Sequence, residues 1–229
     1  MTARELATLF DQRGFFGYTT IEGNVATWHH EIDYQPPAHE DDVGRLERVS
    51  VSAMDEHALD DSYVEHWWSL TSDDTRYLAV RVTKLDHATE RLDRVLLVAG
   101  DHFIYARNRT KDLPKAASLA DLIAKNHASR EQVLGYLDCE LSHGYIRGAK
   151  APWEIVTSTL PWREGNHLEL ADRIGVDSAG RLAALAPPGE TWTFPVNTMS
   201  ADAEKGIAQR PTVTSRRGSG PACRRRHPS

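Results

Sequence analysis

The sequence predicts a mainly β protein: a closed antiparallel barrel of about ten strands, with two short helices and a C-terminal tail that has no fold of its own. Three observations predict it. Ten segments between residues 15 and 171 alternate with the two-residue period of a strand and are rich in Val, Ile, Tyr, Trp or Thr. Most are joined by short, turn-forming stretches, which makes neighbours antiparallel. About ten strands exceed what one open twisted sheet usually holds, and closure removes both vulnerable edges.

The elements follow in chain order. From Ala3 to Gln12, Leu6, Leu9 and Phe10 recur at helical spacing and Gly14 stops the pattern, so a capping helix is expected over residues 1–13. Strands are expected at 15–22, 25–34, 45–53, 62–70, 76–84, 93–99 and 102–109. Gly23-Asn24 and Gly100-Asp101 supply the positive φ that tight hairpins need. Ser118 with Asp121 forms a capping box, and Leu119, Leu122 and Ile123 an apolar face, so a second helix is expected over 118–127. Three further strands, at 132–142, 152–158 and 166–171, complete a barrel domain over 14–175. Residues 176–200 contain Pro187-Pro188-Gly189 and the alternating Thr191-Trp192-Thr193-Phe194, and read as an extra hairpin or a strap across one opening.

Charge divides the chain unevenly. The 229 residues carry a net charge of -6, yet residues 201–229 hold seven basic side chains against Asp202 and Glu204. An acidic body disfavours nucleic acid as the main partner, because phosphate affinity comes from neutralising basic residues. The tail, rich in turn formers and without apolar periodicity, is expected to be disordered. It either stays solvated or binds RNA or an acidic surface weakly. No run of residues approaches a membrane span, and Met1-Thr2-Ala3-Arg4-Glu5 lacks an apolar h-region, so secretion is not expected. Cys139 and Cys223 form neither a disulfide framework nor a zinc quartet. The expected address is cytoplasmic, and composition leaves the oligomeric state open.

Three strands carry the unusual residues. On the first, Trp28, His30, Ile32 and Tyr34 share a face, giving an aromatic wall with a proton donor. On the second, Tyr63, Glu65 and Trp67 share a face, where desolvation would raise the carboxylate towards useful acid–base range. On the third, Phe103, Tyr105, Arg107 and Arg109 line one side, and an arginine fork suits a carboxylate or an enolate. The candidate catalytic residues are therefore His30, Glu65, Tyr34 and Arg107, and the candidate ligand contacts Trp28, Trp67, Phe103 and Tyr105. Each has a plain structural alternative: aromatics that fill a core, and a Glu65–Arg107 pair (or Glu65 with Arg81) that needs no ligand. No HExxH, paired CxxC, P-loop, GxGxxG or GxSxG occurs, so no metal and no cofactor are expected.

Gly14-Phe15-Phe16-Gly17, the strand after it and Trp28 with Ile32-Asp33 resemble a calycin, a lipocalin-like or nitrobindin-like barrel. With Tyr63, Glu65 and Trp67, the run Val95–Gly100 with Phe103 and Tyr105, and Trp153-Glu154-Ile155, the order is similar to a small fungal lipocalin-like family of unsettled function. The resemblance implies an internal cavity over residues 14–171. It also brings haem as a minor alternative, with His143 or His167 as the ligand.

Two functions remain from the sequence. One is binding of a hydrophobic or aromatic small molecule, carrying an anionic or carbonyl oxygen, in the barrel interior. The other is a cofactor-independent isomerase, cyclase or dehydratase of specialised metabolism, with His30 or Glu65 as base and Tyr34 and Arg107 stabilising an oxyanion. An acid–base pair left free in the cavity, or consumed by a salt bridge, discriminates between them.

Overall fold

Two antiparallel sheets carry the fold. The structure, a computed structural model, describes residues 3–37, 41–70, 75–86, 90–147, 150–176, 182–184 and 189–197. The tail over 201–229 lies outside the described residues. After helix α1 (Ala3–Phe10), β1 (Phe15–Glu22), β2 (Val25–Asp33), β3 (Asp42–Arg48), β4 (Ala53–Ala58) and β5 (Val64–Trp68) pair in sequence as one five-stranded sheet. A second sheet of six strands takes β6 (Tyr77–Asp86), β7 (Glu90–Ala99), β8 (His102–Arg107), β9 (Glu140–Tyr145) and β10 (Glu154–Ser158) in order. Its sixth strand, β13 (Glu190–Asn197), pairs with β6 at the opposite edge. Strands β11 (Ile174–Val176) and β12 (Leu182–Ala184) form a separate two-stranded ribbon. No ladder among the described residues joins the two large sheets, and neither closes on itself.

The six-stranded sheet packs against a core on each face, with Ile104 left exposed. One side of β7 and β8 contributes Leu96, Val98, Phe103 and Tyr105, covered by Trp153, Ile155, Leu168 and Leu170 from the chain after β9. The other side contributes Val95 and Ala106, covered by Leu9 of α1, Leu119 of α2 (Leu119–Lys125) and Leu137 of α3 (Arg130–Leu137). Double burial explains why Val95-Leu96-Leu97-Val98 is a continuous apolar run. Each such side chain contributes roughly 1.5–3 kcal/mol. The five-stranded sheet joins the second layer through Phe16, Ile32 and Tyr34.

Four expectations are corrected. Residues 132–142 are not one strand: Ser129 caps α3, accepting from Gln132 N while the Gln132 side chain accepts from Ser129 N, and β9 starts only at Glu140. A complete reciprocal cap outweighs the β preference of Val133 and Tyr136. The strand expected at 45–53 is split into β3 and β4, because Val49 and Ser50 both donate to the Ala53 carbonyl and turn the chain. Residues 166–171 lead into a 3-10 turn, Glu169–Arg173, rather than forming a strand. The fourth concerns alternation in β2. Phe16 pairs with Ile32 but Gly17 pairs with His30, so Glu31 is an extra, bulged residue. His30 consequently stacks on Phe15 on one face while Ile32 packs beside Phe16 in the core. Gly17 is required there, because a Cβ would lie 1.8 Å from the His29 carbonyl oxygen.

Candidate functional site

The bulge opens a cleft beside β2. Strand β3 pairs with β2 only from Val25 to Trp28, the last pair being Trp28 with Asp42. Beyond that point β2 faces the stretch after β8, and a cleft of about 770 Å³ lies between them. Trp28, His29, His30, Arg13 and Lys111 line it together with five carboxylates, Asp41 and Asp112 among them. Among the described residues Arg13 and Lys111 have no ion-pair partner.

Arg109 supports the floor of this cleft. It is only 5 % exposed, and its guanidinium donates to the carbonyl oxygens of Tyr136 (2.5 Å), Asp33 (2.6 Å) and Tyr34. Burial pushes its pKa down, since a desolvated cation is disfavoured. The arginine thus fastens the end of β2 to α3. Alternation in the third strand places Arg109 beside Arg107 but does not mark it as a site residue.

His30 is consumed locally. Its Nδ1 lies 2.6 Å from Asp33 Oδ2, and its Nε2 lies 3.0 Å from Asp42 Oδ2. Both ring nitrogens are turned to carboxylate oxygens of this chain, so neither is presented to a ligand. Glu31 is consumed too: its Oε2 takes Arg81 Nη1 at 3.1 Å, while Arg81 grips Asp93 through Nη2 (2.8 Å) and Nε (3.2 Å). Asp93 is 2 % exposed, so this triad ties the two large sheets together.

The other candidates do not gather at the cleft. Tyr34 is fully buried in the second layer, its Oη has no hydrogen-bond partner, and burial pushes its phenol up to about 12. Phe103 and Tyr105 are 1 % and 5 % exposed and fill the first layer instead of lining a cavity. Arg107 donates from Nη2 to Asp138 at 2.6 Å and lies 3.8 Å from Glu140, so the expected pair with Glu65 does not form. Glu65 is exposed on β5. Of the eight candidates, only Trp28 and His30 line the cleft.

The desolvated carboxylate expected between Tyr63 and Trp67 exists, but it is Glu56. Register places Glu56 directly across from Glu65, and Glu56 is 4 % exposed. It accepts from Tyr63 Oη at 3.1 Å and Trp67 Nε1 at 3.0 Å, and lies over Gly44, where a Cβ would meet Oε1 at 2.8 Å. Burial raises its pKa, and the charges of Glu65 and Asp42 add to that. Only strand pairing identifies this residue, since nothing around Glu56 in the sequence marks it.

Haem finds no fit. His143 Nε2 lies 3.2 Å from His102 Nδ1, and His167 spends its nitrogens on Pro152 O and Asp172 Oδ1. Neither residue lines the cleft. Among the described residues, no three His, Cys, Asp or Glu side chains converge to hold a metal ion. No described helix is long and apolar enough to cross a membrane. A scan of family models, a search of curated proteins and a search of solved structures each found no match.

Proposed function

We propose that this chain binds an aromatic small molecule carrying an anionic or carbonyl oxygen, as a calycin-like carrier. The ligand site is the cleft along β2, not the bore of a single closed barrel. One observation carries the reading: the cleft combines the Trp28 indole with Arg13 and Lys111, while His30 is held between two carboxylates. A volume near 770 Å³ falls within the range of ordinary small-molecule sites. Stacking on Trp28 supplies affinity, and the two bases select the oxygen. The isomerase, cyclase or dehydratase reading has less support, because its base is occupied at His30 and absent from the cleft at Glu65.

Calorimetric titration with 2-naphthoate, a flat aromatic carboxylate, tests the proposal. One saturable site per chain is expected. Trp28→Ala and Lys111→Ala should each weaken it about tenfold, the equivalent of roughly 1.4 kcal/mol. Trp68→Ala, on the distant edge strand, should leave it unchanged. Equal binding by wild type and Trp28→Ala would refute the site.

A further inference from the structure

The exposed edge of the five-stranded sheet is the second feature that calls for a partner. Every residue of β5 is exposed, with Val64 at 46 %, Trp67 at 45 % and Trp68 at 64 %. Among the described residues no strand pairs with its outer side. Natural edges are blunted by short strands, charged side chains, proline or a bulge; Val64-Glu65-His66-Trp67-Trp68 is short and carries Glu65, yet ends in two adjacent exposed tryptophans. One exposed indole stands on each face of this unpaired edge.

The two sides of this edge are chemically alike. On one, Trp67 shares the face of Glu65 and Glu56; on the other, Trp68 lies with His66 and Asp55, which pair directly across the ladder. Each side offers one indole and at least one carboxylate. Around it, residues 41–70 contain eight Asp and Glu against only Arg45 and Arg48. The fitting occupant is an extended, basic segment with two adjacent arginines, whose side chains point to opposite faces and so meet one indole each.

The chain supplies such a segment. Thr212-Val213-Thr214-Ser215-Arg216-Arg217 is β-branched at its start and ends in the adjacent pair, within a stretch of strong positive charge. The described chain ends at Asn197, which pairs with Leu78 at the start of β6, ten residues along the chain from Trp68. The intervening residues 198–211 span up to roughly 45–50 Å when extended, ample reach across one small domain. We propose that residues 212–217 add to β5 as a sixth strand, with Arg216 and Arg217 placed one on each face against Trp67 and Trp68. An extended segment gains main-chain hydrogen bonds at a sheet edge in this way, and being tethered it needs no high concentration to bind.

Fluorine NMR of the full-length chain labelled with 5-fluorotryptophan tests this, the Trp67 and Trp68 signals being assigned from Trp67→Phe and Trp68→Phe. Arg216→Glu combined with Arg217→Glu should move both signals, and 0.5 M NaCl, a concentration that cuts the screening length to about 4 Å, should move them the same way. Arg224→Glu combined with Arg225→Glu should leave them in place. Both signals unmoved by the 216/217 substitutions would overturn the proposal, as would equal movement by the two double variants, which would reduce the effect to net charge. Signals that shift with protein concentration while the sedimenting mass doubles would assign the edge to a second copy and overturn it as well.

Discussion

Arg109 engages Tyr34 twice: the guanidinium carbon lies 5.5 Å from the centre of the phenol ring, and Nη2 donates to the Tyr34 carbonyl oxygen. A buried cation is tolerated here because three carbonyl groups and an aromatic face replace its water. Replacing Arg109 with Met would leave those carbonyls without their donor. A loss of about 3–5 kcal/mol in urea unfolding is expected, comparable to stranding one member of a buried pair. A loss under 1 kcal/mol would show that the arginine does not fasten β2.

Tyr34 itself behaves in the opposite sense. Its Oη is buried without a partner, so Tyr34→Phe should be neutral or stabilising by up to about 1 kcal/mol at pH 7. The pH dependence follows from the sign of the shift. The folded phenol stands at about 12, above its ordinary 10.0, so burial contributes stability below pH 10 that is lost as pH rises towards 12. The Phe variant should lack that loss in alkaline melts. An identical alkaline decline in both proteins would contradict the assignment.

Glu56 titrates with the same logic at acid pH. Its carboxyl is raised above 4.5, chiefly by burial, so the protonated form favours the folded state and stability declines as pH climbs from 4.5 through the raised value. Stability of the wild type minus that of Glu56→Gln should therefore fall over this window and then level off. Paired urea titrations between pH 4 and 7 read the difference directly, with other carboxylates cancelling.

Gly17 should tolerate no side chain. Gly17→Ala brings a methyl group against the His29 backbone, and a loss of roughly 1–3 kcal/mol is expected from overpacking. Because the strain is at the bulge, hydrogen exchange of β1 and β2 should quicken before that of β7 and β8. Uniform quickening over both sheets would place the cost elsewhere.

Cys139 should resist alkylation. It is fully buried and its thiol is pushed up to about 11 by that burial, which suppresses the thiolate. Peptide mapping after iodoacetamide at pH 8 should find residue 139 unmodified until denaturant is added.

Local pattern determined the β class of this protein, the antiparallel pairing of neighbours, α1, α2 and the hairpins at Gly23 and Gly100. These depend on side-chain period and turn chemistry, which are written within a few residues. It also marked the aromatic strand at Trp28 and His30, and the Tyr63–Trp67 face. Only the tertiary structure decided what those residues do. One bulged residue, Glu31, separated His30 from Ile32 and turned a single inferred wall into a cleft on one side and a core on the other. Pairing between β4 and β5 moved the desolvated carboxylate from Glu65 to Glu56. Arg107 went to Asp138 at the end of α3, while Tyr105 sits in a layer filled by the chain that returns after β9. Register, bulges and long-range cover join residues far apart in sequence, and no local period encodes them.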